Sequence, residues 1–134
     1  MYLVDTNIFV EILLRQERTE EAKQFLNTTP ANTLYCSEFS VYSIGIILLQ
    51  RKKPADFLSF IQDTFEEKKV HNIRLSSEDM HNIVEFADAF NLDFDDAYQY
   101  AVSEKYGLEI VCFDTDFDRT ERGRKTPVQI MNME

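Results

Sequence analysis

The sequence predicts an α/β fold, a three-layer α/β/α sandwich around a mainly parallel sheet, within one domain over residues 1–134. Short apolar stretches with strand character alternate along the chain with longer segments whose apolar residues recur at helical spacing. No internal repeat, low-complexity run or Gly/Ser-rich linker interrupts this alternation. The predicted order is strand, helices, strand, helices, strand, helices, strand, strand, which is typical of a parallel sheet with helices on both faces.

The predicted strands are short apolar segments, most of them rich in β-branched or aromatic residues. They cover residues 2–4, 34–36, 71–75, 109–113 and, as a last edge strand, 128–131. A turn or loop at residues 122–125 separates the last two strands.

The predicted helices are amphipathic and have recognisable ends. They cover residues 8–15, 20–27, 38–52, 55–69, 77–90 and a segment that ends at residue 106. Thr6 or Asn7 is expected to cap the first helix and Ser37 the third, because their side chains accept bonds from free backbone amides. Gly107 follows the last helix as a natural stop.

The composition, with 44% hydrophobic and 28% charged residues, is ordinary for a globular protein. No run of about 18 apolar residues exists, so no membrane-spanning helix is expected. Because strand character begins at residue 2, no signal peptide is expected, and residence in the cytoplasm follows as the prediction. Cys36 and Cys112 both fall in apolar strand-like segments, which favours buried free thiols over a disulfide or a catalytic role.

The formal net charge of −10 weakly disfavours attraction to nucleic acid and also suits a basic protein partner. The basic residues are partly gathered, however, at positions 51–53 and 119–125. The second group lies just downstream of an acidic motif. It is therefore either a contact for a phosphate backbone or a solvated loop.

Acidic residues occur where predicted strands end or a helix begins. Asp5 follows the first strand, Asp96 lies in the first turn of a helix, and Asp114 directly follows the fourth strand. The carboxyl ends of parallel strands meet at one crevice, where two such charges 4 Å apart would repel by about 4 kcal/mol at an effective dielectric constant near 20. A divalent cation relieves that repulsion, and Mg²⁺ and Mn²⁺ favour carboxylate ligands. Taken alone, Asp5 is equally explained as a helix cap, and the nearby Asp116 as an exposed turn residue.

The sequence lacks the motifs that other common catalytic or binding sites require. Gly45, Gly107 and Gly123 are too few and too far apart for a phosphate-binding glycine loop. His71 and His81 fit no zinc spacing, and no serine elbow of the hydrolase type is present. A metal-dependent carboxylate site is therefore the chemistry that the sequence favours.

Three short motifs occur in order along the chain: Asp5-Thr-Asn after a short strand, Asp96-Ala at a helix start, and Phe113-Asp-Thr-Asp-Phe after a strand. In this order they resemble the motifs of the PIN-domain ribonucleases, and within that family those of the VapC-like toxins of toxin–antitoxin pairs. The resemblance covers nearly the whole chain. It implies an endoribonuclease dependent on Mg²⁺ or Mn²⁺, with Asp5, Asp96 and Asp114 as metal ligands and Asp116 as the additional acid. It also implies an RNA substrate, a homodimer, and a small antitoxin that inserts a basic side chain among the acids.

One position departs from the family's pattern. The family places a glutamate in the helix after the second strand, six residues beyond a serine, and that position is Ser43 here. Glu38 is the candidate to replace it as a metal ligand, although an acid in the first turn also favours the helix dipole. The departure leaves an alternative open, a PIN-like module that binds RNA or protein without cutting. A phosphotransfer receiver-like domain is disfavoured, because the second strand lacks an acidic pair and no suitable late lysine follows.

Overall fold

The computed structural model describes residues 1–133 and contains a parallel sheet of four strands in the order β3-β2-β1-β4. The central β1 (Tyr2–Val4) pairs with β2 (Leu34–Ser37) on one side and β4 (Glu109–Val111) on the other. The edge strand β3 (His71–Ile73) pairs with β2. This sheet, with helices on both faces, confirms the predicted α/β/α sandwich.

The helices fall close to the predicted segments. They are α1 (Thr6–Leu13), α2 (Thr19–Thr28), α3 (Glu38–Gln50), α4 (Pro54–Ile61), α5 (Met80–Phe90), α6 (Phe94–Tyr106) and α7 (Pro127–Met131). A π-helical segment continues α4, and short 3₁₀ turns occupy Ala31–Thr33, Ser77–Asp79 and Asp116–Arg119. The ends differ from the prediction by a few residues, as in α1, which begins at Thr6 rather than at residue 8. No helix within residues 1–133 has both the length and the apolar character to cross a membrane.

Two apolar cores sandwich the sheet because neighbouring strand residues point to opposite faces. Leu3 and Ile110 pack with the α5 and α6 side, where Ile83 is buried. Val4 and Val111 belong to the core on the opposite face, which includes residues of α1–α4 and α7. The strands β1, β2 and β4 are therefore largely buried, as parallel strands generally are, whereas the edge strand β3 is mostly exposed.

The prediction of a last edge strand at residues 128–131 is wrong, because this segment forms the short helix α7. A capping box starts the helix: Gln129 N donates to Thr126 Oγ1 at 3.3 Å, and Thr126 N donates to Gln129 Oε1 at 2.8 Å. Pro127 occupies the first helical turn, where its missing N–H costs nothing. The place of a fifth strand is taken only by a single parallel bridge between Val111 and Lys125.

The carboxyl edge of the sheet collects the junctions between strands and the elements that follow. Asp5 links β1 to α1, and its backbone N–H donates to Val111 O of β4 at 3.0 Å. Ser37 ends β2 and caps α3 by accepting a hydrogen bond from Ser40 N. The loop after β4 carries Asp114 and Asp116. This edge therefore positions the acidic residues selected from the sequence.

Candidate active site

Asp5 is the most buried acid at this edge, with 7% of its surface exposed. It occupies the N-cap position of α1, but its side chain makes no capping hydrogen bond. Its Oδ1 accepts a bond from Gln99 Nε2 at 3.1 Å, and its Oδ2 accepts one from Cys112 Sγ at 3.3 Å. Burial raises the pKa of Asp5, and these two bonds oppose the shift.

Asp96 lies in the first turn of α6 and is half-buried. Burial is the main reason that the pKa of this carboxyl rises to about 7. The negative charge of Asp5 is the next cause, followed by a hydrogen bond with Asp116 and the charges of Asp116 and Asp114. The structure therefore brings Asp5, Asp114 and Asp116 close enough to Asp96 to oppose its ionisation.

Asp114 and Asp116 lie together on the loop after β4. Asp116 N donates to Asp114 Oδ1 at 3.0 Å, and Asp114 N donates to Cys112 Sγ at 3.2 Å. Asp114 is exposed, whereas the side chain of Asp116 is 36% exposed and forms an ion pair with Arg119 at 3.5 Å. These two acids are held by local contacts and face solvent.

Glu38 forms its hydrogen bond within α3 and not with the four aspartates. The hydroxyl of Tyr42, one turn further along α3, donates to its Oε1 at 2.5 Å. Ser40 of the same helix, in contrast, is fully buried and accepts a bond from Gln99 Nε2 at 2.8 Å. The structure thus groups the four aspartates with Ser40 nearby and gives Glu38 a partner on its own helix.

The donor set suits a hard divalent cation, because four carboxylates share one crevice, two of them, Asp5 and Asp96, with a raised pKa, and no lysine or arginine within residues 1–133 pairs with Asp5. As the side chains stand, no three His, Cys, Asp or Glu residues within residues 1–133 form a complete metal-binding group. Coordination thus requires the more exposed acids to rotate toward Asp5. Solvent reaches Asp96, Asp114 and Asp116.

Two residues beside Asp5 were missed from the sequence. Gln99 is 2% exposed and Cys112 is fully buried, and each donates to one oxygen of Asp5. A signal existed for both. Gln99 follows Asp96 by three residues, so the two share one face of α6, and Cys112 precedes Asp114 by two residues.

Cys112 behaves as a buried thiol rather than as a nucleophile. Burial raises its pKa, and the nearby charge of Asp5 raises it further. Cys36 is also fully buried, and the same two causes raise its pKa. Both cysteines are free, as predicted from the sequence.

The basic group near the site is bound within the protein. Each of its side chains forms an ion pair with an acid: Arg119 with Asp116, Arg122 with Glu104, Arg124 with Asp118, and Lys125 with Glu109. Their N···O distances lie between 3.2 and 3.5 Å. The structure therefore favours the view that this loop is fixed by its own ion pairs over the view that it is a free phosphate-binding surface.

Comparison with known proteins agrees with this architecture. The PIN domain profile matches residues 2–123, so the chain belongs to the PIN-domain family, a family of nucleases. No curated protein matches the chain significantly.

Several solved structures share the fold at low sequence identity. A toxin–antitoxin complex from Klebsiella pneumoniae has 23% identity and a TM-score of 0.74, with 95% of this chain and 98% of that chain covered. VapC20 from Mycobacterium tuberculosis, described as a sarcin–ricin loop cleaving toxin, has 19% identity and a TM-score of 0.79, with coverage of 95% and 100%. FitAcB from Neisseria gonorrhoeae has 18% identity and a TM-score of 0.76, with coverage of 96% and 99%.

Proposed function

We propose that this protein is a divalent-metal-dependent endoribonuclease of the cytoplasm and the toxin of a toxin–antitoxin pair. The observation that carries the proposal is the grouping of Asp5, Asp114 and Asp116 around the half-buried Asp96: burial first, and then these neighbouring carboxylates, raise the pKa of Asp96 to about 7. Such crowding of carboxylates at the carboxyl edge of a parallel sheet is the arrangement that a cation stabilises. The similarity to VapC20, a sarcin–ricin loop cleaving toxin, supports the choice of RNA as substrate.

The proposed role of each aspartate follows from how firmly its side chain is held. Asp5 presents a carboxylate whose two oxygens are oriented by Gln99 and Cys112, so it defines where an ion is bound. Asp96, Asp114 and Asp116 would complete the ligand set of a bound ion, with Asp96 ionised in that state. A bound Mg²⁺ or Mn²⁺ lowers the pKa of an attacking water and neutralises charge on the scissile phosphate.

Loss of cleavage on removal of one acid tests the proposal. Asp96→Asn removes a ligand but keeps the size of the side chain, and we expect Mn²⁺-dependent cleavage of a mixed RNA pool to fall by roughly 100-fold or more. The matched control is Asp95→Asn, the same change at an exposed neighbour. Cleavage by Asp96→Asn at the rate of the control would end the assignment.

The proposed partners are a second copy of the chain and a small antitoxin. Helix α3 exposes the large apolar side chains Tyr42, Ile46 and Leu49 on one stripe, each with 57–59% of its surface accessible. Toxin–antitoxin complexes occur among the similar structures, which supports an antitoxin for this chain. Sedimentation analysis of the purified protein and copurification with the product of the neighbouring gene test these two partners, and a monomer without such a complex would contradict them.

A second candidate is a PIN-like module that binds RNA or protein without cutting it. Ser43 stands where the family has a glutamate, and the only acid in the first turn of α3, Glu38, is bonded to Tyr42. Calorimetry separates the candidates: the enzyme should bind Mn²⁺ saturably through its carboxylates, and the module should show little heat.

A further inference from the structure

Gln99 has an unusual position for a glutamine, because it lies in the interior of the domain with 2% of its surface exposed. Burial of an amide is unfavourable unless its polar atoms find partners. Here Nε2 donates to Asp5 Oδ1 at 3.1 Å and to Ser40 Oγ at 2.8 Å, while Oε1 accepts a bond from Ser37 Oγ at 2.7 Å. Both amide hydrogens and the carbonyl oxygen are therefore used, all three by side chains.

These bonds connect the three elements that form the acidic crevice. Asp5 follows β1, Ser37 and Ser40 lie at the junction of β2 with α3, and Gln99 belongs to α6. Thr6 extends the network, since its Oγ1 lies 2.7 Å from Ser40 Oγ. Gln99 thus links α6, which carries Asp96, to the sheet edge that carries Asp5.

The chemistry of the amide matters as much as its length. A glutamine side chain orients a carboxylate through an N–H donor without adding a positive charge that would compete with a cation. Because Ser37 holds the carbonyl oxygen, the N–H groups are directed toward Asp5 and Ser40 rather than the reverse. A hydrocarbon of the same length fills the space but orients nothing.

We propose that Gln99 is a positioning residue for the metal site, which fixes the rotation of the Asp5 carboxylate and the separation of Asp5 from Asp96. The inference rests on the proposed metal-dependent function and extends it to a residue that contacts no ion. Groups that hydrogen-bond a metal ligand typically change metal affinity by about 10–100-fold when they are removed.

Replacement of the amide by a thioether tests this role. Gln99→Met keeps an unbranched chain of similar length and removes all three hydrogen bonds. We expect the Kd for Mn²⁺ measured by calorimetry, and the Mn²⁺ concentration for half-maximal RNA cleavage, both to rise about 10–100-fold. Cleavage at saturating Mn²⁺ should recover most of the wild-type rate, because the acids themselves remain.

The matched control is Ser103→Ala, a buried polar residue on the same helix whose hydroxyl bonds Tyr100 O instead of the site. It should leave the Mn²⁺ dependence unchanged. If Gln99→Met binds Mn²⁺ as tightly as the wild type, or loses rate with no shift in the Mn²⁺ dependence, the positioning role is overturned. If the wild type itself binds no Mn²⁺, the proposed function fails instead, and the two failures are distinct.

A milder variant covers the case in which Gln99→Met does not fold by circular dichroism. Ser40→Ala removes one of the three partners of the amide and retains Gln99. A several-fold rise in the Mn²⁺ concentration for half-maximal cleavage supports the inference, and an unchanged value contradicts it.

Discussion

The four aspartates of the crevice are held in two different ways. Asp5 is buried, and both of its oxygens accept hydrogen bonds from residues far away in the chain, Gln99 and Cys112. Asp114 and Asp116 lie on one loop, interact with that loop's own backbone and face solvent. We call Asp5 with its partners the anchored half of the site and the loop after β4 the open half.

This difference separates two requirements of a metal site. In the proposed metal site, the anchored half would fix the place of the ion, because its carboxylate cannot rotate without breaking buried hydrogen bonds. The open half supplies charge that can adjust to the ion, because solvent screens it and its contacts are local. Asp96 lies half-buried beside both halves, and its pKa is raised first by burial and then by the carboxylates of both halves.

Arg124 ties the open half to the end of β4, and its removal is the prediction with the largest expected effect on stability. The guanidinium forms a two-bond pair with Asp118, at 3.2 Å for each bond, and donates to Cys112 O at 3.3 Å. Its side chain is only 13% exposed, so Arg124→Met leaves a carbonyl and a carboxylate without this donor. We expect urea denaturation to show a loss of about 2 kcal/mol in the free energy of unfolding.

The exposed Arg51, at the end of α3, provides the control. Arg51→Met should change the free energy of unfolding by less than about 0.5 kcal/mol. Equal effects of the two substitutions would show that Arg124 does not fasten the open half.

Burial of Asp96 and repulsion by its neighbours should make the stability of the protein depend on pH, with a smaller effect than the loss of Arg124. The pKa of Asp96 rises from 3.8 to about 7 on folding, so the folded protein holds a proton that the unfolded chain has released. In the absence of metal, the contribution of Asp96 to the free energy of unfolding is therefore fully present below about pH 4 and declines as the pH rises toward about 7. Solvent around a half-buried group limits the effect, and we expect the Tm without metal to fall by a few degrees between pH 5 and pH 8.

Asp96→Asn should abolish most of this decline and raise the Tm at pH 8, whereas Asp95→Asn should preserve it. Addition of Mn²⁺ to the wild type at about 100 times its Kd should restore roughly 2.7 kcal/mol at the same pH. A Tm without metal that rises from pH 5 to pH 8 would contradict the crowding of the carboxylates.

The comparison of the two halves also explains what the sequence could predict. Asp5 and Asp114 were found because each directly follows a buried strand, and parallel strands bring such positions together whatever the details of packing. The role of Gln99 was not predicted, because its partners Ser37 and Asp5 lie 62 and 94 residues away in the chain. Local periodicity marks a helix interior but does not reveal which distant side chain a buried amide meets.

The wrong strand at residues 128–131 has a local cause. Its apolar residues have strand propensity, and the prediction gave that propensity more weight than the capping pattern before it. Thr126, Pro127 and Gln129 together start a helix, because reciprocal side-chain bonds satisfy the first free amides. A short apolar run that directly follows a capping-box pattern therefore predicts a helix rather than a strand.

The smallest effect concerns a cation beside the start of the open half. The guanidinium carbon of Arg18 lies 5.0 Å from the ring centroid of Phe113, the residue before Asp114. Unlike the arginines of the open half, Arg18 forms no ion pair with an acid within residues 1–133. Its charge remains available next to the site, and we expect it to contact one RNA phosphate.

Binding to a short single-stranded RNA, measured on the Asp96→Asn background to prevent cleavage, tests this contact. Arg18→Ala should weaken binding several-fold and reduce the slope of log K against log salt concentration by about 0.7, the value for one phosphate of a single strand. Lys69→Ala, which removes a cation just before β3 at the opposite edge of the sheet, should leave the slope unchanged. Equal slopes for Arg18→Ala and Lys69→Ala would show that Arg18 contacts no RNA phosphate, because a direct phosphate contact cannot be lost without a change in counterion release.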